Sequence, residues 1–412
     1  MTLAAAQGVA GVEAIRARFP ALARKHRGLP VAYFDGPGGT QVPTEVVAAM
    51  DDYLYHHNAN THWTYPTSEE TDRLIEDARA ALADFLGARA FEIGFGLNMT
   101  TLTFHLARAL GRGWSAGDEV IVTELDHHGN VAPWQALARE RGIVLRTLPL
   151  RTEDGTLDLP GLPALLGPRT RLLAIGAASN VLGTVSDVAA ACARAREAGA
   201  LTFVDAVHAA PHGLTDVGAI GCDFLACSAY KFYGPHVGIL WGRRERIEAL
   251  DLPRLEPAPD SAPERLETGT QNHEGIVGAG AAVEFLAGLG SGTTRRARLA
   301  STFAELDRRS AELLRGLWEG LRLVKRVRLY GPPPGAPRTP TVSFTVQGMS
   351  AEAVARALAE RGLFLSHGDF YAPTVLARLG TLEQGLVRAG CACYTTGGEV
   401  DRLIEAVGRL SR

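Results

Sequence analysis

The sequence holds no run approaching the ~20 consecutive apolar residues that a membrane-spanning helix needs, no block of like charge, no internal repeat and no low-complexity tract. Lys and Arg number 42 against 45 Asp and Glu, and the net charge of −3 argues against nucleic acid or an anionic membrane as the main partner. Cysteine is sparse and odd in number: Cys192, Cys222, Cys227, Cys391 and Cys393 sit mostly within apolar runs. That usage fits buried free thiols in a reducing compartment, not a disulfide framework. The first twenty residues, MTLAAAQGVAGVEAIRARFP, lack both a basic start and a sustained apolar core, so the expected location is cytoplasmic. His208 and His212 are four apart, but Pro211 lies between them and no acidic residue completes a helical zinc motif, so no metal is expected.

What is present is a chain of 412 residues, 46% hydrophobic and 21% charged, the balance of a soluble globular enzyme with more than one domain. A helix is expected over Gly11 to Arg27, another from Thr44 to about His56, and a third over Thr67 to Leu86, where Thr67 and Glu70 form a capping-box pattern ahead of apolar residues at helical spacing. Four apolar strands then alternate with helical stretches: Val120 to Thr123, Leu172 to Ala177, Leu201 to Val204, and the run ending at Ser228. Each finishes in polar residues. Repeated strand–helix units imply an α/β fold with a mostly parallel sheet covered on both faces and a ligand outside the carboxyl ends of the strands. A return strand follows over Val237 to Trp241. Helical sequence from Ile276 to Val324, broken at Gly288 to Gly292, leads into a smaller α/β unit. The expected division is an N-terminal helical segment over 1–30 packing on the small domain, a large domain over 31–290 and a small domain over 291–412.

The chemistry centres on FLACSAYKFYGPHVGILW, Phe224 to Trp241, with Lys231 in a turn between two apolar runs. Packing walls strip such a lysine of hydration and lower its pKa towards the nucleophilic range, although a lysine at a strand end, taken alone, more often snorkels to solvent. Three other features decide between these readings. Asp205 ends a neighbouring strand, and His127 follows another. GLNMTTLTFHLARAL opens a helix at Met99, Thr100 and Thr101, whose free N–H groups and hydroxyls make a phosphate site. Together they match the needs of pyridoxal phosphate (PLP). Lys231 would be the Schiff-base lysine, Asp205 would keep the pyridine nitrogen protonated, His127 would stack on the ring, and Thr100 with Ser228 would bind the phosphate. Lys231, once freed by a substrate amine, is placed to move the Cα proton.

The motifs YFDGPGG, ELDHHGNVAPW, SNVLGT, VDAVH, SAYKFYGPHVGIL, LETGT and VRAGCACYTTGGEVD resemble those of the class V aminotransferase family of PLP enzymes, and within it the cysteine desulfurase and selenocysteine lyase branch. The resemblance runs from about Tyr33 to the C-terminus. It implies a PLP-dependent transferase fold of type I and an α-amino acid substrate. It places Asn180 near the cofactor's ring oxygen with His208 in the position of the family's usual glutamine, and Tyr230 beside the phosphate where relatives often have histidine. Thr270 would reach the phosphate of a partner subunit, which implies a homodimer with shared sites. Arg388 would grip the substrate carboxylate, a role suited to its bidentate fork. Gly38 and Gly39 would approach the substrate, and His62 and His367 would line its pocket.

One part of the pattern is missing. The loop expected to carry a desulfurase's thiol reads LSHGDFYAPT, Leu365 to Thr374, with Tyr371 at or near the thiol's position. Cys391 and Cys393 lie close to Arg388 in sequence. If Val387 to Tyr394 is a strand, however, they face away from Arg388 and into the core. The resemblance alone then implies Cα deprotonation followed by loss of a β-substituent, as in a carbon–sulfur lyase. Epimerisation of the isopenicillin N epimerase kind, transamination and a non-catalytic binding protein on a retained fold are the alternatives.

Overall fold

The computed structural model describes residues 9–411. Seven strands form the larger sheet, in the order Ile93–Gly96, Gly238–Gly242, Phe224–Ser228, Leu201–Asp205, Thr170–Gly176, Glu119–Thr123, Val144–Leu148. The five from Phe224–Ser228 to Val144–Leu148 run parallel to their neighbours, and the return strand Gly238–Gly242 pairs antiparallel on both sides. Runs such as FLACS and GILWG are buried at every residue, which requires cover on both faces of the sheet. Alternation assigns the side chains to those faces. Ile121, Leu173, Val204, Leu225 and Ile239 join one apolar cluster, while Val120, Leu172, Phe203, Phe224 and Leu240 join another. This is the mostly parallel, helix-covered α/β architecture expected.

A second, antiparallel sheet has the order Val327–Tyr330, Thr341–Val346, Leu386–Gly390, Ser366–Gly368. Helices Arg295–Arg322, Ala351–Ala359 and Gly397–Leu410 cover it around Phe344, Val354, Leu358 and Leu403. The chain's early residues also pack here: Ala32–Tyr33 pairs parallel with Leu363–Phe364, Phe34 is buried in the same cluster, and Arg16 binds Glu399 and the Tyr394 carbonyl.

Three local expectations are corrected. The helix expected over Gly11 to Arg27 is confined to Val12–Arg16; Pro20 opens a short 3-10 turn, and Lys25–His26 pairs with Leu29–Pro30. The part of the N-terminal segment before Val9 lies outside the described residues. The Thr67/Glu70 capping box does not form, because the helix starts one residue earlier: Pro66 takes its first position, which its fixed φ suits, and Tyr65 caps without a side-chain bond. The strand through Cys391 and Cys393 stops at Gly390, after which Cys391 N–H donates to the Pro340 carbonyl and the chain turns.

The Pro66–Leu86 helix and the segment after Leu266 are tied together by a buried ion pair. Arg79 forks onto Glu267 at 2.7 and 2.8 Å and donates to the Ile93 carbonyl at 2.6 Å, while Phe95 N–H donates to Glu267. The Arg79 side chain is 3% exposed. Removing Glu267 takes the fork from a buried charge and leaves it only the exposed Glu76 carboxylate at 3.1 Å and the Ile93 carbonyl. Glu267→Ala is therefore expected to destabilise the fold by about 3–5 kcal/mol in urea unfolding, and a loss below about 1 kcal/mol, the range of exposed pairs, would show that water compensates Arg79.

Candidate active site

Four strand ends of the larger sheet open into one cavity of about 780 Å³. After Thr123 come Asp126 and His127; after Gly176 comes Asn180; Asp205 closes its strand and His208 follows; Ser228 ends the next, with Tyr230 and Lys231 beyond it. Gly38, Met99, Thr100, His367 and Arg388 complete the wall from other segments.

Lys231 Nζ donates to the carbonyls of Pro37 at 2.5 Å and Gly38 at 3.0 Å and lies 5.0 Å from the Tyr230 ring centre. Burial, reinforced by the charge of Arg388, brings its pKa down to about 7 against the opposing pull of Asp205 and Asp35. Asp205 accepts the Val207 N–H with one oxygen at 2.9 Å, and its other oxygen receives no hydrogen bond from any described residue. Burial pushes that carboxyl up to about 6. His127 takes the Gly129 N–H on Nδ1 at 2.9 Å, which leaves its proton on Nε2. Burial, then the charges of Lys231 and Arg388, holds it neutral with a pKa of about 4. Gly129 must be small for this contact: a Cβ there would sit 2.7 Å from Thr100 Oγ1 and 2.9 Å from His127 Nδ1.

The Met99–Gly111 helix aims its N-terminus at the cavity because Met99 N–H donates to Ser228 Oγ at 3.0 Å. Asn98 caps it in a reciprocal pair with Thr101. Thr101 is thus spent on the cap and turned outward, so of the three expected phosphate residues on this helix only Met99 and Thr100 line the cavity. Tyr230 lines it too, stacked on His236 at 4.9 Å. Gly39 does not; the Tyr230 ring packs against its open side. Asn180 donates to the Phe370 carbonyl at 2.8 Å and its amide oxygen is buried without a partner. His208 Nε2 meets the hydroxyls of Thr339 at 3.0 Å and Thr341 at 3.2 Å, and burial holds the ring neutral.

Arg388 is 4% exposed and makes no ion pair with any described residue. One terminal nitrogen donates to the Asn180 carbonyl at 2.8 Å, the Phe370 ring covers the guanidinium at 4.2 Å, and burial pulls its pKa down to about 9. His62 and Thr270 lie elsewhere, together in a separate groove where His62 faces Glu264 at 3.1 Å. His62 therefore does not join the substrate pocket of its own chain. Neither Cys391 nor Cys393 reaches the cavity: the first packs in the core of the smaller sheet, the second beside Tyr233, and burial raises both thiols to about 12.

Three participants escaped the sequence reading. Asp126 accepts the Gly176 N–H and the Asn130 amide, and burial next to Asp205 pushes it up to about 7. Asp35, in YFDGPGG, has one buried oxygen without a partner and lies within the fields of Arg388 and Lys231. Phe370 was hidden because nothing in LSHGDFYAPT marks it as a lid over Arg388. The acid directly before the His127–His128 pair was the one available signal, for Asp126.

These donors fit PLP: a buried amine, a carboxylate with a free oxygen on the neighbouring strand, a neutral imidazole and a helix N-terminus with hydroxyls converge on one cavity. The low pKa of Lys231 has a kinetic consequence, since only the neutral amine attacks an aldehyde. PLP capture by the cofactor-free chain, followed by near-visible absorbance, is expected to accelerate with pH through about 7 and level off by about pH 8. A rate that keeps rising to pH 10 would mean an ordinary, hydrated lysine.

The family model of class V aminotransferases matches residues 32–403. The chain is 34% identical over 417 residues to a cysteine desulfurase of Pectobacterium carotovorum subsp. carotovorum (strain PC1), covering 97% of this chain and 98% of that protein. It is 36% identical over 420 residues to one of Klebsiella pneumoniae (strain 342), with the same coverage. Among solved structures it is similar to the cysteine desulfurase CsdA of Escherichia coli, with a TM-score of 0.84, 30% identity and 98% of each chain covered. It also matches the apo cysteine desulfurase of Thermococcus onnurineus NA1, with a TM-score of 0.85, 29% identity, and 92% and 94% covered. A model match over most of the chain, full-length relatives above 30% identity and a cavity built for PLP lead to one statement: this chain belongs to the class V aminotransferase family and is a PLP-dependent enzyme with the fold of the cysteine desulfurases.

Proposed function

We propose that the enzyme removes a β-substituent, sulfur foremost, from an α-amino acid, and that it does so without a persulfide on the protein. The observation that carries this reading is the loop over the cavity. It holds no thiol and it is pinned: Phe370 offers its carbonyl to Asn180 and its ring to Arg388, and the Tyr371 carbonyl accepts the His128 N–H at 2.6 Å. A thiol that attacks substrate sulfur and then hands it on needs a loop that travels.

The chain's own residues divide the remaining work. Arg388, with no carboxylate partner in the protein, binds the substrate carboxylate. PLP, when bound, supplies the electron sink for charge developing at the substrate Cα. Lys231, neutral near pH 7, takes the Cα proton. Asp205 would keep the pyridine nitrogen protonated, Asn180 and His208 would serve the ring oxygen, and Ser228, Thr100 and the Met99 helix start would take the phosphate. His127 would stack on the ring, with its proton on Nε2.

Thr270 and His62 lie outside their own chain's cavity, in a groove near the exposed apolar side chains Trp63, Tyr65, Leu97 and Leu255. This supports a homodimer in which Thr270 reaches the partner's phosphate site. Buried free thiols support a cytoplasmic setting, and no helix among the described residues is long and apolar enough to cross a membrane.

Sedimentation velocity is expected to give twice the chain mass of 43.8 kDa, and a monomer at micromolar concentration would remove the shared-site reading. In a screen of amino acids, L-cysteine is expected to yield pyruvate, ammonia and sulfide, and cystine to yield pyruvate, ammonia and thiocysteine, with kcat held within about twofold in a Cys391→Ala/Cys393→Ala variant. Sulfur release that depends on either thiol would restore the persulfide route, and α-proton exchange without pyruvate would favour epimerisation. Arg388→Lys keeps the charge and loses the fork, so it is expected to raise KM roughly ten- to hundredfold.

A further inference from the structure

The turn that holds Lys231 has the composition of a cation site. Asp35 O accepts the N–H groups of Gly38 at 2.7 Å and Gly39 at 3.1 Å, and this closes the turn so that the carbonyls of Pro37 and Gly38 project at Lys231 Nζ. Carbonyl oxygens are acceptors only. The Tyr230 ring adds a π face 5.0 Å from the same nitrogen, and the Asp35 carboxyl lies close enough to act on it electrostatically. Two carbonyls, an aromatic face and a carboxyl attract an ammonium group and offer nothing to an anion.

The site is coupled rigidly to Arg388. Asp35 bridges to Gly390, and the Pro37 ring lies so close to Gly390 that a Cβ there would be 2.2 Å from it. Gly390 is two residues from Arg388 on the same strand. Gly38 has an ordinary φ, so backbone freedom does not explain a glycine there. Space does: a Cβ at Gly38 would stand a tight 3.1 Å from Asp35 O and would fill the gap up to contact, at 3.6 Å, with Arg388 Nη2 and Ser366 Oγ.

We infer that Pro37 O, Gly38 O, the Tyr230 ring and Asp35 form an ammonium subsite that Lys231 shares with the substrate, reading the α-ammonium while Arg388 holds the carboxylate. When the Lys231 nitrogen is drawn away to the cofactor, these acceptors lose their donor, and the α-ammonium of an amino acid whose carboxylate lies on Arg388 replaces it. Both charges of an α-amino acid are borne by one carbon, the separation that the neighbouring subsites accommodate. The site thus distinguishes an amino acid from a bare carboxylate before any covalent step, and Gly38 keeps the gap open for the Cα. This rests on the reading of Arg388 as the carboxylate site.

The test uses the full-length, cofactor-free chain carrying Lys231→Met, with Lys231→Ala as a second variant, and compares binding of L-alanine and propionate by calorimetry. The two ligands have the same carbon chain and carboxylate. With the lysine gone, L-alanine is expected to bind about tenfold tighter than propionate, the order of one desolvated cation–π contact with charge-assisted hydrogen bonds. The unsubstituted chain, whose own amine occupies the carbonyls, is expected to lose that preference. Adding Gly38→Val to the Lys231→Met chain is expected to abolish it. Equal affinity for the two ligands in both lysine variants overturns the ammonium subsite. Propionate binding unchanged by Arg388→Gln overturns the carboxylate reading instead, so the two failures are distinct.

Discussion

A parallel sheet buried on both faces has one place to display reactive groups, the carboxyl ends of its strands. The inner strands of this chain are committed to packing almost throughout, as the uniform burial of EVIVT, FLACS and GILWG shows, and only the edge strand Val144–Leu148 is largely open to solvent. The consequence is crowding. Asp126, His127, Asn180, Asp205, His208 and Lys231 come from stretches more than a hundred residues apart at their extremes and still share one cavity. Removing these groups from water shifts all of their pKa values in one sense, against charge: carboxyls up, Lys231 and Arg388 down, imidazoles to the neutral form.

The rest of the molecule handles charge differently. On its surface, arginines pair with acids along helices, as Arg308 does with Glu305 and Glu312. In the cavity Lys231, Arg388, Asp126 and Asp205 form no ion pair with any described residue. Such an arrangement is costly to the bare fold, because buried charges without partners repel folding. It makes sense where ligands supply the missing partners: a pyridinium for Asp205, a carboxylate for Arg388, an ammonium for the Pro37–Gly38 carbonyls. The buried Arg79–Glu267 pair, complete within the protein, shows what a purely structural charge looks like here.

The sequence disclosed those parts of this design that follow from periodicity and strand ends. Lys231, Asp205 and His127 were legible because each follows an apolar run and so had to emerge at the sheet edge. The break between Ala287 and Arg295 was legible from Gly288 to Gly292. Lysine is also rare, at three of the 42 basic residues, which singles out one in an apolar setting. What stayed hidden depends on the third dimension. Thr101 and Thr100 are alike in sequence, yet the 100° step of the helix sends one to the cap and the other to the cavity. His62 and His367 both read as loop histidines in the sequence, and only the fold puts His367 on the strand Ser366–Gly368 at the pocket and His62 in the groove. Asp35 was masked by the glycines around it, and Phe370 had no pattern to announce that an aromatic ring would cover an arginine.

The loop that carries Phe370 shows how the fold commits itself. Phe370 and Tyr371 both have φ of +56°, a conformation that costs side chains with a Cβ roughly 1–3 kcal/mol each. Two consecutive bulky residues do not adopt it without compensation. Asn180 and His128 each bind one of the two carbonyls, Asp369 takes the Tyr371 N–H at 3.0 Å, and the Phe370 ring rests on a desolvated guanidinium, a contact of about 2 kcal/mol. All but Asp369 of these anchors belong to other segments of the cavity wall, so the strain is offset by groups that line the cavity. A loop held this way fixes the roof over Arg388 and cannot also swing a reactive group across the cavity. The lack of a cysteine in Leu365 to Thr374 and the anchoring of that loop point the same way, and the proposed reaction accordingly uses groups that stay in place: Lys231, His127 and Arg388.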